Sequence, residues 1–322
     1  METASSFRKA SQELRKVDTR IKIWRRIRQS WQLYFLLALP VVWLIIFQYY
    51  PMYGAQIAFR DFLPGDSIWR ADWVGLENFK RFFQSAMFVT LLRNTLTLSL
   101  YSLAASFPIP IIFALSLNQL RNRYMKQTIQ MVSYAPHFIS TVVLVGILIQ
   151  FLGLHNGPIN LALQALGFAP HLFMGDSNYF QSIYVWSAVW QDTGFSAIIY
   201  LAALSNIDPL LHEAAVVDGA NRLQRIWHID LPGIMPTVVT LLILSMGQII
   251  NIGFEKVYLM QNPLNTSISE VISTYVYKVG LIGSFTNFSY AAAIGLFNSV
   301  VGMVMLIAAN QVLKKVTETS LW

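Results

Sequence analysis

Ser205-Asn206-Ile207-Asp208-Pro209-Leu210-Leu211-His212-Glu213-Ala214-Ala215-Val216-Val217-Asp218-Gly219-Ala220, running on to Pro232-Gly233, is too polar to cross a membrane and too ordered in its local signals to be slack chain. Asp208 followed by Pro209 marks a helix start: a side-chain acceptor at the N-cap, then a residue with no N–H to leave unpaired. Leu210, Leu211, Ala214, Ala215 and Val217 give that helix an apolar surface. Gly219 after Asp218 supplies the stop, because glycine readily enters the left-handed conformation that ends helices. A second short helix is expected over about 221–229, closing before Pro232. Two short helices across a glycine turn form a compact knob. Ala214, Ala215, Gly219 and Ala220 permit close approach of another surface, and Glu213 offers one negative charge. That chemistry suits docking into a groove on another protein and does not suit catalysis.

Outside this loop the chain is dominated by apolar residues. They make up 55% of its 322 residues, and charged residues only 12%, about half the charged share of an ordinary soluble domain. With so little polar surface, lipid must be part of the solvent. Six stretches have the roughly 20 mostly apolar residues that a spanning helix needs: 31–50, 94–117, 129–152, 181–204, 234–254 and 288–312. The expected architecture is an all-α integral membrane protein. A basic segment (1–30) precedes a six-helix domain (31–313) that carries the 205–233 loop, and a short tail (314–322) follows.

The net charge of +7 would fit nucleic acid until the charges are located. Arg8, Lys9, Arg15, Lys16, Arg20, Lys22, Arg25, Arg26 and Arg28 precede the first span. Arg121, Arg123 and Lys126, then Arg222 and Arg225, then Lys314 and Lys315, fall on the same side. Lys and Arg resist translocation, so this side, with both termini and the knob, is expected in the cytoplasm. No nucleic-acid partner is implied. The first apolar run is too long for a signal peptide and has no small-residue cleavage site after it, so it is expected to remain as an anchor. The absence of cysteine excludes disulfides and thiolate metal sites. Pro108, Pro110 and Pro136 interrupt the second and third spans; kinks lining a pathway and ordinary helix packing both account for them.

The loop resembles a known signature. Glu213-Ala214-Ala215, Gly219 four positions after the last alanine, and Ile229-x-Leu231-Pro232 match the EAA motif of ABC importer permeases at every position, and Asp218-Gly219-Ala220 fits their sugar-uptake branch. Tyr50-Pro51-Met52-Tyr53-Gly54, Trp73-Val74-Gly75-Leu76-Glu77-Asn78-Phe79 and Asn94-Thr95-Leu96 resemble the LplB-like polysaccharide permeases, alginate-importer subunits among them. The resemblance implies the six-helix transmembrane domain of a type I importer. It also implies a second, homologous permease, two ATP-binding cassette ATPases, an extracytoplasmic solute-binding protein and an oligosaccharide or polysaccharide substrate. Glu213, Ala214, Ala215, Asp218, Gly219 and Ala220 would couple to an ATPase. ATP and magnesium would be bound there and no cofactor in this chain, which has no G-x-x-x-x-G-K-[ST] phosphate loop.

Candidate substrate contacts rest on two arguments. Trp186, Trp190, Gln191, Asp192 and Phe195 are an unusual density of polar and aromatic groups for a lipid-facing helix, and sugars present apolar faces and hydroxyl edges to such groups. By resemblance to MalF-like permeases, counted from the EAA glutamate, Trp190, Asp192 and Phe195 fall in one sugar-contacting stretch. Ser245 and Gln248 fall near the other, with Asn251 one turn further. A packing tryptophan and interhelical amide glue remain alternatives, and a carboxylate at Asp192 would brace the cavity more readily than it would hold an anionic sugar. An ion-coupled secondary sugar transporter shares the hydropathy, but only one carboxylate lies well inside a span and no repeat is evident. An intramembrane zinc protease fails at Val216, where H-E-x-x-H needs its second histidine.

Overall fold

A computed structural model describes residues 29–63, 65, 67–247, 253–283 and 286–317. The basic segment before residue 29 and the end of the tail lie outside them. The chain divides into two compact units, one ending at Gln56 and the other starting at Ile57. In the first, α1 (Trp31–Leu44) is an almost wholly apolar helix that runs on through a π turn, Ile45–Tyr49.

The second unit begins with a small antiparallel pair, β1 (Arg60–Asp61) and β2 (Asp72–Trp73), and a short helix α2 (Glu77–Phe83). Asn78 donates to the carbonyls of Ala58 and Arg60, and Trp73 stacks on Phe59 at 5.6 Å, so the Trp73–Phe79 segment braces this hairpin. The second span is α3 (Met87–Ser106) followed directly by α4 (Pro108–Asn118). Next come α5 (Arg123–Tyr134), a 3-10 turn (Ala135–Phe138), α6 (Thr141–Phe151), the short α7 (Pro158–Ala165) and the long α8 (Ser177–Ser205). The knob holds α9 (Pro209–Val217) and α10 (Arg222–Arg225), and a π turn (Ile226–Asp230) leads into α11 (Leu231–Gly247). Three short helices follow, α12 (Phe254–Met260), α13 (Thr266–Ser269) and α14 (Ile272–Tyr277), before α15 (Phe288–Thr317).

Among the described residues, four helical runs are long and apolar enough to cross a membrane: Trp31–Phe59, Met87–Asn118, Arg222–Gly247 and Phe288–Ala308. Two bent pairs raise the count to six. One joins Arg123–Phe138 to Thr141–Phe151 at 98°, and the other joins α8 to α9 at 72°. The third expected span is therefore broken, not straight. Pro136 removes a backbone donor and Ile139 turns extended, so the helix stops and restarts at Ser140, whose hydroxyl caps α6. By contrast, α8 has the length to span but a polar middle at Gln191, Asp192 and Thr193.

One expectation is overturned. The second knob helix does not close before Pro232. It continues through Ile229 and Pro232 into the fifth span, 26 residues without a break. The reason is the π turn: Leu231 N–H reaches back to Ile226 O, one residue further than in an α-helix. That widening absorbs the missing donor and the ring of the proline that follows.

Helix α8 is the post around which this unit packs, touching α3, α4, α5 and α11. Leu98, Phe180, Tyr184, Val185, Val257 and Met260 fill one cluster beside it; Ala114, Tyr200, Leu204 and Ile234 fill another towards the knob. The stretch after α11, unassigned from the sequence, is knitted in by polar bonds. Asn94 donates to the carbonyls of Ser267 and Glu270, Thr95 Oγ1 accepts from Ile272 N–H, and Lys278 pairs with the buried Glu270.

Gly194 allows a close helix contact. A β carbon there would overlap the Ser133 carbonyl oxygen, because α5 lies directly on α8 at that point. Gly194→Ala is expected to destabilise the protein by about 1–3 kcal/mol through overpacking; an unchanged thermal midpoint in detergent would show that the helices part at no cost.

Candidate functional site

Two places concentrate chemistry. The first is the knob. Asp208 accepts from Leu210 N–H at 2.9 Å, which starts α9 at Pro209. At the other end Gly219 N–H bonds to Val216 O and Ala220 N–H to Ala215 O, while Gly219 takes φ +80°. This pair of bonds is the Schellman closure, and it needs the left-handed residue that glycine supplies. Asn221 and Gln224 then exchange side-chain and backbone bonds in a capping box that starts α10. Every turn of the knob is thus written into local sequence. Its apolar residues stay uncovered: Leu210, Leu211, Val217 and Leu223 are all exposed, Val217 at 87%. Ala215, Asp218, Gly219, Ala220 and Arg225 line a concavity of about 360 Å³ on its surface.

The second is a cavity of about 810 Å³ inside the helices. Asp192, Phe195 and Ser245 line it, together with His137 from the broken span. His137 Nδ1 lies 2.8 Å from Asp192 Oδ1, and its ring stacks on Phe195 at 3.9 Å with the planes 5° apart. Gln191 Nε2 donates to Ile139 O at 2.7 Å. The three α8 side chains therefore strap the break at 137–139 in place. They satisfy the carbonyl that the helix interruption frees, which lipid could not do.

Several sequence candidates stand elsewhere. Trp190 is exposed and does not line the cavity, nor does Trp186, whose indole N–H donates to Tyr101 OH at 3.0 Å. Gln191 is spent on the strap. Helical geometry explains the split: at about 100° per residue, position 190 lies about 200° round α8 from 192, whereas 195 lies about 60° away. Gln248 and Asn251 lie outside the described residues.

The cavity also has members that the sequence reading did not single out. Ser99, Ser102 and Ser106 line it from α3, Tyr184 and Tyr200 from α8. The serines recur at i, i+3 and i+7, a polar stripe on one face of an otherwise apolar span, and that period was the available signal. Ser102 Oγ is buried without a hydrogen-bond partner in the protein. Behind Tyr184, the buried Lys256 donates to its backbone carbonyl at 3.0 Å and sits 4.9 Å over its ring. Hydroxyls, one imidazole–carboxylate pair and flat aromatic faces are groups with which a polyhydroxylated molecule can interact, and no cluster of metal-ligating side chains occurs among the described residues.

Residues 106–318 match the family model described as binding-protein-dependent transport system inner membrane component. The chain is 42% identical over 295 residues to protein LplB of Bacillus subtilis (strain 168), covering 92% of each. It is 38% identical over 307 residues to the polygalacturonan/rhamnogalacturonan transport system permease protein YteP of the same organism, covering 95% of each. A crystal structure of a bacterial alginate ABC transporter, in complex with an alginate pentasaccharide-bound periplasmic protein, contains a chain that superposes with a TM-score of 0.84. That chain is 38% identical, and the match covers 92% of this chain and 99% of that one.

The strap gives a direct expectation. Gln191→Leu leaves the Ile139 carbonyl unpaired and should cost about 1–3 kcal/mol of stability, read as a lower thermal midpoint in detergent, while Trp190→Phe on the exposed face should leave it in place.

Proposed function

Because this chain belongs to the family of binding-protein-dependent transport system inner membrane components, a multi-pass inner membrane protein and not itself an enzyme, we propose that it is one of two permease subunits of an ATP-driven importer for oligosaccharides of uronate-containing polysaccharides. The knob carries the reading. A doubly capped helical hairpin with exposed leucines, small residues at its turn and Glu213 on α9 is built to enter a cleft on another protein. The chain has no phosphate-binding loop of its own, so ATP and magnesium belong to the two ATPase subunits. Glu213, Ala214, Ala215, Asp218, Gly219 and Ala220 form the coupling surface, on the cytoplasmic side with both chain ends, in keeping with the basic residues there. A second permease completes the pathway, and an external binding protein delivers the sugar.

The substrate class rests on the company the chain keeps and on the cavity. Its relative YteP is named for polygalacturonan and rhamnogalacturonan, and its structural relative for alginate. Serine and tyrosine hydroxyls suit sugar hydroxyls, and Phe195 with His137 offers a platform for a pyranose face. Asp192 does not oppose an anionic sugar as a bare charge, because His137 engages it. Closure of the ATPases would rock the helices around this cavity, exposing it alternately to either side.

Reconstitution tests the reading. Uptake of uronate oligosaccharides into proteoliposomes should require ATP on the ATPase side and should survive collapse of the proton gradient. Uptake that follows an ion gradient without ATP would replace the reading with a secondary transporter. Gly219→Asp should insert normally but release the ATPase subunits, as pull-down from detergent would record. In the cavity, Phe195→Ala should raise the saccharide concentration giving half-maximal stimulation of ATP hydrolysis roughly five- to tenfold; equal effects from Trp190→Ala would move the site off this face of α8.

A further inference from the structure

Asp230 is the most deeply buried carboxylate at the base of the knob, with 0% of its surface exposed. It occupies the last position of the π turn, and three elements converge on it. His212 of α9 places Nε2 3.2 Å from Oδ1, and Gln119, the C-cap residue just after α4, donates from Nε2 to Oδ2 at 2.9 Å. The guanidinium of Arg225 in α10 lies within electrostatic reach. The contact to His212 is an ion-pair approach without good hydrogen-bond alignment, and Oδ1 has no other partner. Burying a carboxylate costs several kcal/mol unless charge and hydrogen bonds offset it. An apolar residue would fill this position more cheaply.

The reason for the carboxylate lies in how α9 is attached. At its start the chain bends by 72° through Asn206–Asp208, and at its end it turns through Gly219. A helix hinged at both ends can swivel without moving the spans that carry it. Apolar packing of Ile207, Ile226 and Leu231 against the cluster of Leu204 and Ile234 resists that motion but has no direction. Asp230 adds a directed tie from the middle of α9 to the foot of the second span and the start of the fifth.

We propose that Asp230, with His212 and Gln119, is the pin that makes the coupling knob one rigid body with the second and fifth spans, a positioning device for transmission of the ATPase stroke. The pin rests on the importer reading above. The π turn is part of it, because Asp230 is its last residue and is fully buried there, with His212 of α9 and Gln119 on its carboxylate.

The test uses the complete importer in proteoliposomes, measuring sugar uptake and ATP hydrolysis in one preparation. Asp230→Asn should leave assembly and basal hydrolysis intact and lower sugar moved per ATP roughly five- to tenfold. Gln119→Ala, half-buried and milder, should lower it roughly two- to threefold. His212→Lys, which keeps a cation facing the carboxylate, should retain more coupling than His212→Ala. An unchanged ratio in Asp230→Asn overturns the pin, as does loss of assembly, hydrolysis and uptake together in Gln119→Ala, the signature of a merely structural bond. Wild-type uptake without ATP overturns the importer reading along with it; ATP-dependent uptake with unaltered coupling in the variants overturns the pin alone.

Discussion

Lipid offers nothing to a bare backbone carbonyl, and this one constraint governs how the chain can be irregular. Where a helix is interrupted at membrane depth, a neighbouring side chain or a re-spaced backbone bond must take the place of water. The third span can break at Pro136 because α8 presents Gln191 to the freed carbonyl of Ile139 and Asp192 to the ring of His137. The fifth span can run through Pro232 because a π turn re-spaces its bonds. Both irregularities also do something with the space they open. The first lets His137 into the cavity, and the second holds Asp230 at its last position, buried at the base of the knob.

The two functional places are built on opposite principles. The helices and turn of the knob are local: caps, a Schellman turn and a capping box specify them within twenty residues. The cavity is wholly non-local, assembled from α3, α4, the break after α5, α8 and α11.

This division also explains what could be read from the sequence. The knob's caps, its turn at Gly219 and the apolar runs were legible, since each depends on residues within a few positions of one another. The fate of Pro232 was not: proline normally ends a helix, and only the i–5 bond from Leu231 to Ile226 shows that this one is carried through. The face of α8 that meets the cavity was hidden as well, since Trp190 and Asp192 are equally conspicuous in sequence and the neighbours alone decide which points inward. His137 carried no signal beyond its place after Pro136. The short helices α13 and α14 escaped notice because their order comes from Asn94 and Thr95, about 170 residues earlier in the chain, and α12 because its tie is Lys256 to the carbonyl of Tyr184.

The contact at Gly194 has a kinematic consequence. With the Ser133 carbonyl seated where a β carbon would stand, and His137 and Ile139 fastened one turn away, the end of α5 and the centre of α8 are locked against sliding. Any stroke that opens the chamber to the other side must carry this wedge as cargo, hinge included. Compliance is then left to the joints beyond it.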